Sequence, residues 1–128
     1  MAVREHVIAV VDDDPGVRKA LARLLSVFGY RVELFASAED FLRDAPSSKA
    51  TCLVVDIQLG DMSGLDLARE LAAAGFELPI IFMTGSGDNA IRLQCMELGC
   101  VAFLQKPVLE ARLMDAIAKA IGLDLPVA

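Results

Sequence analysis

Residues 7–21 read VIAVVDDDPGVRKAL, from Val7 to Leu21. Five apolar residues, Val7 to Val11, lead straight into three carboxylates, Asp12, Asp13 and Asp14. An unbroken apolar run of this length suits a parallel strand covered on both faces. The residues after it suit a helix start, with Asp14 as the capping side chain and Pro15 in the first turn. Adjacent carboxylates repel one another unless a cation lies among them or one takes a proton. The end of a buried strand therefore carries a charge problem that another part of the chain must answer.

The same alternation continues along the chain. Apolar β-rich runs recur at Val32–Phe35, Cys52–Val55, Ile80–Met83 and Val101–Leu104. Only the first of these, in RVELF, alternates polar with apolar, as an edge strand does. Helical patterns separate the runs. SAED from Ser37 and SGLD from Ser63 each place an acid three residues after a capping serine. Gly29, Gly75, Gly99 and Gly122 fit as helix stops. Phe76–Leu78 and the residues around Ser47 read as loops. Five βα units with right-handed crossovers imply an α/β fold: one doubly wound, five-stranded parallel sheet flanked by five helices, flavodoxin-like in the order 2-1-3-4-5.

Composition narrows the function. A chain of 128 residues, 55% apolar and 23% charged, is long enough for one folded domain and unlike a disordered one. The net charge of −6 argues against a dedicated nucleic-acid surface. No apolar run reaches membrane-spanning length, and MAVREHV does not read as a secretion signal. Cys52, Cys95 and Cys100 are odd in number and lack metal-ligand spacing, so they read as free thiols in a reducing compartment, and the expected location is cytoplasmic. His6 alone makes neither a triad nor a zinc site; it reads as a surface residue at a strand start.

Polar groups follow four of the five strands: Asp12 and Asp13 the first, Asp56 the third, Thr84 the fourth and Lys106 the fifth. In open α/β sheets ligands bind beyond the carboxyl ends of the strands, where strand order reverses. In the order 2-1-3-4-5 that point lies between strands one and three. Asp12, Asp13 and Asp56 then share a shallow cleft with a hydroxyl and an ammonium. Oxygen-rich side chains suit Mg²⁺ or Mn²⁺, and a carboxylate can accept a phosphoryl group.

The set Asp12–Asp13, Asp56, Thr84 and Lys106–Pro107 resembles the receiver domain of two-component response regulators across residues 1–128. The patches VDDDPGVRKAL, SAEDFL, DMSGLDL and TGSGD resemble FixJ-type receivers, which usually precede a LuxR-type DNA-binding domain; no such effector segment is read here. The resemblance implies that Asp56 accepts a phosphoryl group from a sensor histidine kinase or phosphotransfer protein. It implies Mg²⁺ held by Asp13, Asp56 and the backbone carbonyl of Gln58, with Asp12 acting through water. Lys106 would pair with phosphoryl oxygens ahead of a cis bond to Pro107. Thr84 and Phe103 would carry the change to the face of the fourth helix, fifth strand and fifth helix, which could also pair two copies. Gln58 and Ser86 occupy positions that, in that family, tune loss of the phosphoryl group. Such a domain assists its own phosphorylation and dephosphorylation and turns over no external substrate.

The chain departs from that family where Leu59-Gly60 replace the usual Met-Pro, and along NAIRLQCMELGCVAF, where Cys95 and Cys100 replace small residues. Two alternatives stand beside this reading. One is a receiver acting as an interaction module without phosphorylation. The other is a haloacid-dehalogenase-type phosphatase built on Asp12, Asp14, Thr84 and Lys106, which needs a further acidic pair where only scattered Glu110, Asp115 and Asp124 follow.

Overall fold

A computed structural model describes residues 6–122. The strands are β1 (Val7–Val11), β2 (Arg31–Phe35), β3 (Cys52–Asp56), β4 (Ile80–Thr84) and β5 (Ala102–Gln105). The helices are α1 (Pro15–Val27), α2 (Ala38–Asp44), α3 (Gly64–Ala73), α4 (Asn89–Glu97) and α5 (Glu110–Ala120). All strand pairs are parallel, in the order β2-β1-β3-β4-β5. The fold class and strand order read from the sequence are those found, and β2 is an edge strand.

Alternation along the strands sorts the core into two layers. Ala9, Val11, Leu53, Val55 and Phe82 pack under α2, α3 and α4, against Phe41, Leu67, Leu71 and Cys95. Ile8, Val10, Val54, Ile81 and Met83 face the other way, onto Leu21 and Leu25 of α1 and Leu113 and Ile117 of α5. Every residue of β1 and β3 is buried, because helices cover both faces of the central strands.

Local signals set the helix ends. Asp14 Oδ1 accepts from the Gly16 and Val17 N–H groups at the start of α1. Ser63 and Asp66 form a reciprocal capping box on α3, whereas Ser37 caps α2 through a single bond from the Asp40 N–H. The glycines after α1, α3, α4 and α5 all take positive φ, between 74° and 88°, a conformation costly for any residue with a Cβ.

Three details differ from the sequence reading. Ala45–Ser47 forms a 3₁₀ turn rather than a loop; Pro46 supplies the fixed φ that such a turn accepts. Asp56, Thr84 and Gln105 belong to their strands, so the ladder runs one residue further than the apolar pattern. His6 is half-buried, with Nδ1 3.3 Å from Thr51 Oγ1. Asp124, considered in the phosphatase alternative, lies outside the described residues.

Candidate functional site

Register brings the acids together. Val11 of β1 pairs with Val55 of β3, so Asp12 and Asp56, the next residues of each, emerge side by side. The Asp12 N–H still bonds the Phe35 carbonyl, and the Ile57 N–H bonds Met83, which ties both acid-bearing chain ends to neighbouring strands. On the far side, the Lys106 N–H bonds the Thr84 carbonyl at 2.7 Å and the Lys106–Pro107 peptide is cis.

The Lys106 ammonium answers the charge problem. Its Nζ donates to Asp12 Oδ2 at 2.8 Å and to Asp56 Oδ2 at 2.7 Å. Asp12 is fully buried and Asp56 is 5% exposed, while the Lys106 side chain keeps 25% of its surface at the mouth of the site. The remaining carboxylate oxygens are engaged by backbone: Asp12 Oδ1 accepts from the Asp14 N–H and Asp56 Oδ1 from the Gln58 N–H, both at 2.9 Å. Asp13 points to solvent.

Burial raises the Asp56 pKa, and the nearby Asp12 charge adds to it; bonds from Lys106 and Gln58 offset part of the rise. For Lys106 burial acts against the charged form, but the two carboxylates outweigh it and hold its pKa above the ordinary value. The ammonium is thus fixed in its charged form between two acids.

One oxygen from each of Asp12, Asp13 and Asp56 lies within 4.8 Å of the others. Three carboxylates and one ammonium leave a formal excess of two negative charges. An all-oxygen set with that excess and one solvent-facing member fits a hard divalent cation.

Thr84 is fully buried at the end of β4, and its Oγ1 accepts from the Ser86 N–H at 3.0 Å. The hydroxyl oxygen is thus engaged by its own loop. Ser86 Oγ in turn accepts from the Asp88 N–H, at 3.3 Å. Phe103 of β5 is half-buried; it packs on the α2–α3–α4 core layer and lines a cavity of about 420 Å³ together with Arg92, Leu109 and Arg112. The Gln58 side chain is exposed, and its Oε1 lies 3.8 Å from where a Cβ on Gly85 would be. The Leu59-Gly60 departure leaves the loop anchored, since Leu59 packs on the core and the Gly64 N–H bonds the Ile57 carbonyl at 2.9 Å.

Two contributors were not singled out from the sequence. Arg18 Nη1 donates to the Asp12 backbone carbonyl at 2.7 Å, bracing the acid-bearing turn from the first helix. Gly64 lies against Asp56 so closely that a Cβ there would sit 2.5 Å from the Asp56 carbonyl oxygen. The glycine within DMSGLDL was the available signal for the second; nothing in a helical arginine announces the first.

A family model described as the response regulator receiver domain matches residues 8–118. The response regulator protein TmoT of Ectopseudomonas mendocina is 41% identical over 120 residues, 94% of this chain and 54% of that protein. The transcriptional regulatory protein FixJ of Rhizobium meliloti is 37% identical over 116 residues, 91% of this chain and 57% of that protein. The chain therefore spans about half the length of these relatives. The crystal structure of FixJ-N superposes with a TM-score of 0.87 at 34% identity, covering 98% of this chain and all of that one. The phosphatase alternative also loses Asp14, whose carboxylate is exposed and caps α1. By sequence profile, by its relatives and by the superposition of its fold, the chain belongs to the receiver-domain family of two-component response regulators.

Proposed function

We propose that the chain is a phosphoacceptor switch in which Asp56 receives a phosphoryl group. The observation that carries this reading is the Lys106 ammonium held between Asp12 and Asp56 at 2.8 and 2.7 Å. It supplies a cation within hydrogen-bond reach of the nucleophile, on the oxygen not held by Gln58. An Asp56 oxygen attacks the phosphorus of a phosphohistidine. The new O–P bond forms as the P–N bond breaks, and the imidazole keeps the electron pair and takes a proton. Lys106 then exchanges one carboxylate for a phosphoryl oxygen.

Asp13, Asp56 and the Gln58 carbonyl would hold Mg²⁺ or Mn²⁺, with Asp12 acting through water. A cation bound there neutralises charge on the transferring phosphoryl oxygens. The Thr84 hydroxyl leaves the Ser86 N–H for a phosphoryl oxygen, and Phe103 moves into the space vacated behind it. This is a local charge change that biases α4, β5 and α5. Gln58 and Ser86 flank the phosphoryl position and govern access of the water that removes it.

The donor is a sensor histidine kinase or a phosphotransfer protein. An apolar groove of about 470 Å³ lined by Val17, Ala20, Leu21, Val108 and Pro107 reaches Lys106 itself, which gives a donor helix a footing beside the acceptor. Exposed Leu93, Met96 and Leu109 beside Arg92 and Arg112 suit pairing of two copies through α4, β5 and α5.

Borohydride reduction after treatment with acetyl phosphate and Mg²⁺ tests the acceptor. An aspartyl-phosphate is reduced to homoserine, and peptide mass mapping should find it at position 56. Homoserine at position 12 or 13 instead would overturn the assignment.

A further inference from the structure

Three helices, α1, α3 and α4, end in the same way. After each, a positive-φ glycine is followed by a residue whose N–H reaches back to the carbonyl of the third-last helical residue: Tyr30 to Leu25 at 3.1 Å, Phe76 to Leu71 at 3.0 Å and Cys100 to Cys95 at 3.3 Å. An apolar contact between the two residues so joined frequently accompanies this termination. Leu25 with Tyr30 shares one core layer, and Leu71 and Phe76 line one cavity. At the end of α4 the two residues are both thiols.

The surroundings agree. Cys95 is fully buried, and the half-buried Cys100 packs against the same core layer. Burial first, and the neighbouring Cys100 thiol second, push the Cys95 pKa up to about 11, so the two groups are close enough to interact while the thiolate that attacks a disulfide forms slowly at neutral pH. Burial raises the Cys100 thiol as well. Cys52 lies in the other core layer, across the sheet.

We propose that Cys95 and Cys100 are a dithiol that a small disulfide oxidant converts into an intramolecular bond, fixing the last turn of α4 to the chain entering β5. The partition of roles follows exposure. Cys100, the reachable thiol, loses its proton and attacks one sulfur of the oxidant; the oxidant's S–S bond breaks and one thiol departs with that proton. Cys95, shut off from the reagent, then loses its proton, attacks the Cys100 sulfur and releases the second thiol. Two protein thiols are oxidised and the oxidant is reduced to two thiols. The bond constrains the output-side helix without touching Asp56 or Lys106, so its formation stands or falls independently of phosphorylation.

The test treats the folded chain with cystamine in native buffer, quenches exchange with acid, alkylates the remaining thiols in denaturant with N-ethylmaleimide and maps peptides. The expected product is a Cys95–Cys100 link with Cys52 alkylated, while Cys95→Ala stops at a cystamine adduct on Cys100. Amide exchange at Leu98, Gly99 and Cys100 should slow by about tenfold or more in the oxidised protein and recover after dithiothreitol, as expected when local opening is suppressed. A persistent adduct on wild-type Cys100, a link through Cys52, thiols that all remain alkylatable, or unchanged exchange in the linked form would overturn the proposal.

Discussion

Gly64 lies directly beneath Asp56: a Cβ on Gly64 would sit 2.5 Å from the Asp56 carbonyl oxygen and 3.0 Å from the Ile57 Cα. Those atoms are backbone and cannot rotate away. The start of α3 and the end of β3 therefore approach as closely as they do only because this residue has no side chain. Gly64→Ala should cost about 1–3 kcal/mol, the range for forcing a methyl group into packed structure. It should also lower affinity for Mg²⁺ by moving the Asp56–Gln58 segment. A urea midpoint unchanged from wild type would show that the contact relaxes freely.

Lys106 is the counter-charge for two buried acids. Lys106→Met should destabilise the chain by roughly 2–4 kcal/mol, somewhat below the figure for breaking a fully enclosed pair, because the lysine is partly exposed. The folded-state pKa of Lys106 is raised, so its contribution is complete below its ordinary value of 10.5 and is lost as pH rises through the folded value. Millimolar Mg²⁺ should restore much of the loss in the variant, since a divalent cation supplies the missing charge; thermal melts with and without the metal read this directly. The variant should still accept some phosphoryl while switching weakly. Equal destabilisation with and without Mg²⁺ would place the metal elsewhere.

Asp56→Asn should melt no lower than wild type, and slightly higher without metal. The sign follows from the raised Asp56 pKa. The folded state favours the protonated form, so ionised Asp56 costs stability above its folded pKa and nothing below its ordinary value of 3.8. The advantage of the variant should therefore be complete near neutral pH and shrink as pH falls through that interval. In wild type, added Mg²⁺ should raise the melting temperature by mass action on the folded state; in Asp56→Asn that rise should be much smaller. A variant that unfolds would contradict the placement of an unfavourable charge here.

Thr84→Ala removes the acceptor for the Ser86 N–H. The expected stability loss is about 1 kcal/mol, the value of one hydrogen bond. Phosphorylation of Asp56 should persist, while the phosphorylation-dependent change at α4 and β5, read by amide chemical shifts, should diminish. A full-sized change in the variant would remove Thr84 from the relay.

Much of this was legible in the residues. Apolar runs covered on both faces gave the central strands, and the polar residues after them marked the cleft. The chain did not reveal which of two adjacent carboxylates turns inward. Asp12 is fully buried on Lys106 while Asp13 faces solvent, a division set by strand register rather than residue type. The Arg18 bond to the Asp12 carbonyl spans six residues between a strand end and a helix, a relation no helical or strand period encodes. Ser37 and Ser63 looked alike as capping signals, yet only Ser63 completes the reciprocal box. The Asp66 carboxylate accepts from the Ser63 N–H at 3.2 Å, whereas the Asp40 carboxylate accepts from Arg43 Nη2 at 2.9 Å.

The most direct measurement of the phosphoacceptor role is the intact mass of the chain after incubation with acetyl phosphate, with and without Mg²⁺, in wild type and Asp56→Asn. The expected result is one phosphoryl group that requires Mg²⁺, is released by hydroxylamine and is absent from the variant. Beryllium fluoride with Mg²⁺ serves as the stable mimic where turnover outpaces detection, and it should bind wild type only. An adduct that survives in Asp56→Asn, or neither adduct nor beryllium fluoride complex in wild type with Mg²⁺ present, would contradict the role assigned to Asp56.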